Sequence, residues 1–323
     1  RDAVFERVTK ILNDLEELPE ESSSDVSDAG DWWEMVHKTG RYDTVEFVGD
    51  YSDMRTTLHM VLGLDFNDPD KKMLKVLDVG CGASKVSEDL FLDGFRDIIG
   101  IDISKSIIDR MKAKYADKKY LSNKFMINLP KPFLDEDDIA DDNPLSNEEE
   151  IVFEDDDDRQ NLPPELREVP DNVFYSADGV EGAAKFPPVG IESNLKGRWR
   201  HGKTLEGFSG KFDVVDAREL SKVYGSDSFD LIIDKGTLES IAVGNDYRSV
   251  HRMLSGISRL LKPGGMFLSV SFALPRERTG LLSGPLPQLR GIYNWSVYPQ
   301  EMIASNEIQF TMYVCKKKKK KTA

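Results

Sequence analysis

Leu74-Lys75-Val76-Leu77-Asp78-Val79-Gly80-Cys81-Gly82 decides how this chain is read. Residues 74–79 are an almost unbroken run of Leu and Val, the pattern of a strand buried on both faces of a parallel sheet. The run ends in Gly-Cys-Gly. Val86 and Leu90, four apart, then mark a helix that Gly94 stops. Glycines between strand and helix let backbone pass close under a ligand, and the helix N-terminus adds the positive end of its dipole. In a doubly wound sheet such a loop lies at the switch point where ligands bind.

Working outward, Ile98-Ile99-Gly100-Ile101-Asp102 reads as a second strand. Ser104 is placed to cap a helix whose apolar face is Ile107, Ile108, Met111 and Tyr115. From about 116 to 210 the pattern stops. This stretch is rich in Pro, Gly and acid, and it reads as a flexible acidic insertion. The series then resumes with strands at Phe212–Asp216 and Phe229–Asp234. Val250, Met253, Leu254, Ile257, Leu260 and Leu261 form one helical face, closed by Pro263-Gly264-Gly265. Further strands are expected at Met266–Phe272, Tyr293–Tyr298 and Ile308–Val314. Alternating strands and helices predict an α/β fold with a doubly wound, mostly parallel sheet. Residues 1–31 read as a polar acidic leader with one amphipathic stretch (Val4, Val8, Ile11, Leu12, Leu15), and 32–323 as the folded domain.

The 323 residues suffice for one large α/β domain or two small ones, and 39% apolar residues supply a core. Net charge is −15, but Asp135 to Asp158 alone holds fourteen acids and no Lys or Arg. The rest is nearly neutral, which argues against a dedicated nucleic-acid binder. Two cysteines, Cys81 and Cys315, build no disulfide framework, and the expected setting is reduced and cytoplasmic. No apolar run reaches the roughly 18 residues of a membrane helix. The chain opens at Arg1 without Met, so a removed targeting peptide stays open. His37, His59, His201 and His251 are scattered, so no metal site is expected. Lys316 to Lys321 is either a solvated tail or a nucleic-acid or nuclear signal. The acidic stretch is either a solvated loop or a dock for a basic partner.

Asp102 ends the second strand 22 positions after Gly80, where a carboxylate accepts both ribose hydroxyls of a nucleoside. The alternative is a helix cap. Lys85 stands where a dinucleotide fingerprint wants its third glycine, and no Gly-Lys-Ser/Thr follows. The ligand therefore lacks a pyrophosphate, and S-adenosylmethionine fits. Its aminoacyl part lies along Gly80-Cys81-Gly82 and its ribose on Asp102. Asp216, with the Ala217 backbone beside it, accepts from the adenine amino group or else caps a loop.

These segments resemble the seven-strand, Rossmann-like methyltransferase fold: Leu77 to Gly82, Gly94-Phe95-Arg96-Asp97-Ile98, and Ile101-Asp102-Ile103-Ser104. More narrowly, Asp234-Lys235-Gly236-Thr237-Leu238-Glu239 is similar to a segment of the eukaryotic methyltransferase-like proteins that include the elongation factor 1-alpha lysine methyltransferases. Val45 to Tyr51, Ser258 to Gly265, Pro275 with Arg278, and Trp295-Ser296 extend the likeness, which covers about 32–115 and 212–316. The resemblance implies S-adenosyl-L-methionine as cofactor and an elongation factor 1-alpha-like protein as substrate. It carries cofactor contacts onto Trp33, His37, Phe47, Gly80, Cys81, Gly82, Asp102, Ile103, Asp216, Ala217, Asp234 and Lys235. His37 stands where Tyr is usual, Phe47 for Trp, Ala83 for Asn and Glu239 for Asp.

Methyl transfer from a sulfonium is an in-line displacement that needs no metal, so catalysis rests on alignment and desolvation. A lysine amine with a pKa of about 10.4 needs about 4.6 kcal/mol to become neutral at pH 7. Asp234 and Glu239 are the candidate catalytic residues that orient it; a solvated helix residue is the alternative for Glu239. Lys235 is set to meet the cofactor carboxylate, or is a surface charge. The Asp/Asn-Pro-Pro-Tyr/Phe segment of base methyltransferases is absent after Phe229–Asp234, which disfavours nucleobase substrates. Trp32 and Trp33 with Tyr51 are expected to form a lid, or Trp32 only packs. The expected function is protein-lysine N-methylation. The alternatives are a small-molecule methyltransferase and a non-catalytic adaptor that retains the fold.

Overall fold

The computed structural model describes residues 29–40, 48–125, 198–200, 202–242, 246–284, 290–303 and 309–319. Phe47, the Val4–Leu15 stretch and the acidic run 135–158 lie outside the described residues. Helices α1 (Ala29–Thr39) and α2 (Tyr51–Leu62) precede β1 (Lys75–Val79). Next come α3 (Val86–Leu92), β2 (Asp97–Asp102), α4 (Lys105–Ala116) and α5 (Lys118–Ser122). After β3 (Lys211–Val214) follow α6 (Leu220–Val223), β4 (Phe229–Lys235), α7 (Thr237–Ala242) and α8 (Tyr247–Leu260). The chain continues with β5 (Leu261–Ser271), α9 (Pro275–Ser283), β6 (Trp295–Ile303) and β7 (Gln309–Lys317).

The seven strands form one sheet in the order β3-β2-β1-β4-β5-β7-β6. All neighbouring pairs from β3 to β5 are parallel, while β7 runs antiparallel to both β5 and β6. This is the doubly wound, seven-stranded Rossmann-like sheet expected from the sequence. Side chains alternate between its faces. Val76, Leu231, Ile233, Leu268 and Val314 pack with α2, α3 and α4 residues such as Leu58, Leu90 and Ile108. Leu77, Val79, Ile232 and Phe267 pack on the other face against Val250, Leu254 and Ile257 of α8. The apolar faces read for α4 and α8 are the ones buried.

Three expectations are corrected. Pro263-Gly264-Gly265 does not follow the helix as a stop: α8 ends at Leu260, and the triplet lies inside β5. Gly264 adopts φ 87°, and the β4–β5 register shifts between Phe229 and Leu231, so the triplet makes a bulge. The polylysine run does not begin as a solvated tail. Lys316 and Lys317 are paired in the sheet, and Lys317 Nζ donates to Asp227 Oδ1 and the Leu261 carbonyl. The interruption at 116–210 is also not structureless at its ends. Helix α5 lies within it, and the strand-like stem Phe125 N→Lys203 O (3.0 Å), Gly202 N→Phe125 O (2.9 Å) and Leu205 N→Leu121 O (2.9 Å) brings its two ends together. Leu205 and Phe208 are buried in the core beside Tyr115 and Phe91.

Helix α2 opens on a reciprocal cap between Asp50 and Asp53 and closes on left-handed Gly63. It is bound to α3 by a buried ionic cluster. Asp93 accepts from the Tyr51 hydroxyl (2.7 Å) and Arg55 (2.9 Å), and lies 3.4 Å from Lys71 Nζ. His59 Nε2 sits 3.3 Å from the same carboxylate, yet burial pushes its pKa down to about 4. Among the described residues no helix is long and apolar enough to cross a membrane.

Candidate active site

Strand registers align the carboxyl ends at one rim: Val79 lies opposite Ile101 and Asp234, Asp102 opposite Val214, and Asp234 opposite Ser269. Gly80, Ile103, Asp216 and Lys235 therefore collect at the same edge. The order β2-β1-β4 makes β1 the switch point, the place where open α/β sheets bind their ligands.

The two loop glycines serve different needs. Both have positive φ, 63° at Gly80 and 49° at Gly82. A Cβ on Gly80 would stand 1.8 Å from Thr237 Oγ1, whereas one on Gly82 would meet nothing within 4 Å. Gly80 is thus demanded by protein packing, and Gly82 leaves open space beside the backbone. Cys81 turns its thiol into the core, where burial raises its pKa, so only its main chain borders the loop. Asp78 is also buried and accepts from Ser87 Oγ at 2.9 Å, tying β1 to α3.

Asp102 is not the cap of α4; Ser104 fills that place by accepting from the Ile107 N–H. Asp102 instead accepts from Gly82 N (3.1 Å) and Ser104 N (2.9 Å), joining the glycine loop to the end of β2. Burial pushes its pKa up, against those bonds and the nearby His37.

Helix α1 closes over this carboxylate. Trp33 stacks on His37 with centroids 5.7 Å apart, and Trp32 meets Trp33 edge-on at 4.6 Å. Gly30 packs closely on Ile103, whose Cδ1 would lie 2.9 Å from a Cβ there. Glu34 pins the helix by accepting from Ser104 Oγ (2.7 Å) and Ser106 N (3.0 Å). Burial raises the Glu34 pKa, but the Ser106 and Ser104 bonds prevail and hold it at about 2. Sequence reasoning missed Glu34, since a charged helix residue defaults to solvent. Tyr51, expected in the lid, is instead 1% exposed and bonded to Asp93 beneath α2.

Asp216 takes the loop-capping alternative. It accepts from Arg218 N (2.8 Å), and the Arg218 guanidinium engages both of its oxygens. Burial works against ionisation there, and Arg218 overrides it and lowers the pKa. Ala217 beside it is buried. Lys235 Nζ reaches the Gly49 carbonyl at 3.4 Å, linking β4 to the segment before α2.

Asp234 does not reach a substrate surface. It is fully buried; Oδ1 accepts from Thr237 N (2.9 Å) and Leu238 N (3.1 Å), and Oδ2 from Ser269 Oγ (2.9 Å). It caps α7 and so positions Glu239. Glu239 is not a solvated residue: Arg278 Nη2 donates to its Oε1 at 2.6 Å. Burial first, then the Glu239 charge, pushes the Asp234 pKa from 3.8 up to about 7. A raised carboxyl favours the fold while protonated, so its contribution is full below about pH 4 and is lost as pH rises through about 7. Asp234→Asn keeps an acceptor for both N–H groups and removes the titration. The wild type is expected to lose roughly 2–4 kcal/mol between those limits that the variant does not lose. Urea unfolding at pH 4 to 8 measures it; parallel curves for the two proteins would contradict the assignment.

A family model described as a methyltransferase domain matches residues 70–129 and 200–318. The break in that match coincides with the stem that joins Phe125 to Lys203. The "eEF1A lysine and N-terminal methyltransferase" of Danio rerio is 32% identical over 91 residues, covering 28% of this chain and 12% of that protein. The chain thus spans only a small part of that relative. The "EEF1A lysine methyltransferase 4" of Bos taurus is 22% identical over 300 residues, covering 89% of this chain and 75% of that one. Among solved structures, 1,6-didemethyltoxoflavin-N1-methyltransferase of Burkholderia thailandensis aligns with TM-score 0.42 and 14% identity, over 90% of this chain and 87% of that one. With more than half of its length matched by the family model, and with the switch-point rim inside the matched segments, the chain belongs to the methyltransferase domain family.

Proposed function

We propose that this methyltransferase uses S-adenosylmethionine to methylate a lysine amine on a protein in the cytoplasm, with elongation factor 1-alpha the favoured substrate. The observation that carries the cofactor reading is Asp102, a buried carboxylate bonded to Gly82 N under the Trp33–His37 stack. The open space at Gly82 fits an aminoacyl chain lying along the loop. When bound, S-adenosylmethionine supplies an electrophilic methyl group. Asp102 accepts the ribose hydroxyls, Lys235 faces the cofactor carboxylate, and Ala217 and Asp216 border the purine. Asp216 keeps lone pairs for an amino group beside Arg218. The Trp33–His37 stack with Ile103 excludes water. The second Glu239 oxygen accepts from the substrate amine and holds its lone pair in line. Support for the lysine target comes from the printed activities of the two relatives, and support for a reduced setting from two unpaired, buried cysteines.

Incubating the protein with methyl-labelled S-adenosylmethionine and a eukaryotic lysate tests this. The expected result is label on a lysine of elongation factor 1-alpha, located by peptide mapping. Label confined to small molecules would instead identify a metabolite methyltransferase. Absence of cofactor binding in calorimetry would identify an adaptor.

A further inference from the structure

The Arg278–Glu239 pair is joined by half of the bonds its chemistry allows. A guanidinium and a carboxylate usually meet through two parallel bonds. Here only Nη2 and Oε1 meet, at 2.6 Å. Glu239 Oε2 and Arg278 Nη1 are each buried with no hydrogen-bond partner among the described residues. The Arg278 side chain is only 5% exposed, so solvent does not serve it freely. A buried donor left without a partner is costly, and such groups mark places where something else completes the bonding. Both residues follow the carboxyl ends of parallel strands, Glu239 on α7 after β4 and Arg278 on α9 after β5, at the candidate site's rim.

The two idle atoms differ in kind. Oε2 is an acceptor and suits the substrate amine, as in the function proposed above, on which this inference rests. Nη1 is a donor and the amine does not satisfy it. We infer that Arg278 Nη1 forms a second substrate subsite, one that takes a neutral carbonyl oxygen of the substrate's peptide chain. A carboxylate is disfavoured there because Glu239 already brings a carboxylate to the same guanidinium. A carbonyl dipole brings no net charge and needs one donor. Arg278 is then a specificity residue: it lets the site favour an amine presented on a peptide over a bare amine.

The test compares two probes on the full chain loaded with S-adenosylhomocysteine. N-acetyl-lysine N-methylamide carries the amine and two peptide carbonyls, and n-pentylamine carries the amine alone. Binding is followed by NMR titration. The amide probe is expected to bind about tenfold more tightly, the worth of one bond to a charged donor. Arg278→Lys keeps a cation for Glu239 but lacks the second nitrogen; it is expected to abolish the advantage of the amide probe over n-pentylamine. Arg278→Gln serves as the second variant should the lysine variant fail to fold, judged by its melting midpoint and cofactor affinity. Equal binding of the two probes to the wild type overturns the inference, as does an advantage that survives both substitutions. If neither probe binds while the cofactor does, the inference and the amine role of Glu239 both fall. Failure of the lysate to accept methyl while the amide preference holds would remove only the favoured protein substrate.

Discussion

Asp102→Ala is expected to weaken S-adenosylmethionine binding by at least about 100-fold. Two hydrogen bonds from ribose hydroxyls to a charged acceptor are worth about 1.5–3 kcal/mol each, or roughly 3–6 kcal/mol together. The loss has a second source. Asp102 also holds Gly82 N and Ser104 N, so its removal frees the loop that must lie under the aminoacyl chain. Asp102→Asn separates the two in part: its single oxygen keeps one of the Gly82 N and Ser104 N bonds, and the charge is given up. Its affinity should fall between the wild type and the alanine variant. Burial also raises the carboxyl's pKa, so the neutral form is reached at a higher pH than for a solvated aspartate. Affinity should therefore drop as pH is lowered in the wild type, and the asparagine variant should lack that drop. Calorimetry at several pH values reads all three. Near-normal binding by the alanine variant would show that the ribose lies elsewhere.

How much of this was legible in the sequence depends on where each residue's partner lies. Strands β1 and β2 were readable to within about a residue, because a sheet covered on both faces needs continuous apolar runs. Helices α4 and α8 were readable from period alone. Helix α2 left a signal that went unused, since Asp50 and Asp53 at three-residue spacing are its reciprocal cap. Pro263-Gly264-Gly265 misled because the triplet usually follows a helix as a stop, and only pairing with β4 makes it a bulge. Tyr51 and Glu34 were beyond local reading. Asp93 lies 42 positions from Tyr51, and Ser104 lies 70 from Glu34.

The carboxylates of the site divide in the same way. Asp102 was singled out because its position at a strand end is fixed by the fold's topology, and the structure places it at the end of β2. Asp216, placed by the same logic, proved to be occupied by Arg218, a neighbour only two positions away. Asp234 and Glu239 were read as equals, but Asp234 spends both oxygens on α7 and Ser269. The spacing Asp234 to Thr237 is that of a helix cap, so this distinction was present in the sequence. What the sequence did not hold was Arg278, a buried residue that arrives on α9 and makes Glu239 the half-buried member of an ion pair.

Gly80→Ala should damage the fold more than Gly82→Ala does, although both glycines belong to one short motif. At Gly80 the added Cβ lies 1.8 Å from Thr237 Oγ1 and 2.9 Å from its Cβ. Thr237 has little freedom to yield, since its hydroxyl donates to the Val79 carbonyl (3.1 Å) and its N–H to Asp234 Oδ1 (2.9 Å). Overpacking costs about 1–3 kcal/mol and a left-handed non-glycine backbone about 1–2 kcal/mol. Together these take about 2–5 kcal/mol from a stability of about 5–15 kcal/mol, or roughly 5–15 °C in the melting midpoint. The displacement passes through Asp234 into α7 and so to Glu239. Gly80→Ala combined with Thr237→Ala should recover part of the midpoint, because the nearest contact then relaxes from 1.8 Å to the 2.9 Å of the remaining Cβ. At Gly82 only the backbone term applies, so the midpoint should fall by about 1–2 kcal/mol equivalent. Its methyl group projects into open space beside the loop, where a bound aminoacyl chain would lie, so cofactor affinity should fall well beyond that. Thermal unfolding and calorimetry should therefore rank the two variants in opposite order. The same ranking by both methods would mean that the space beside Gly82 is not where the cofactor passes.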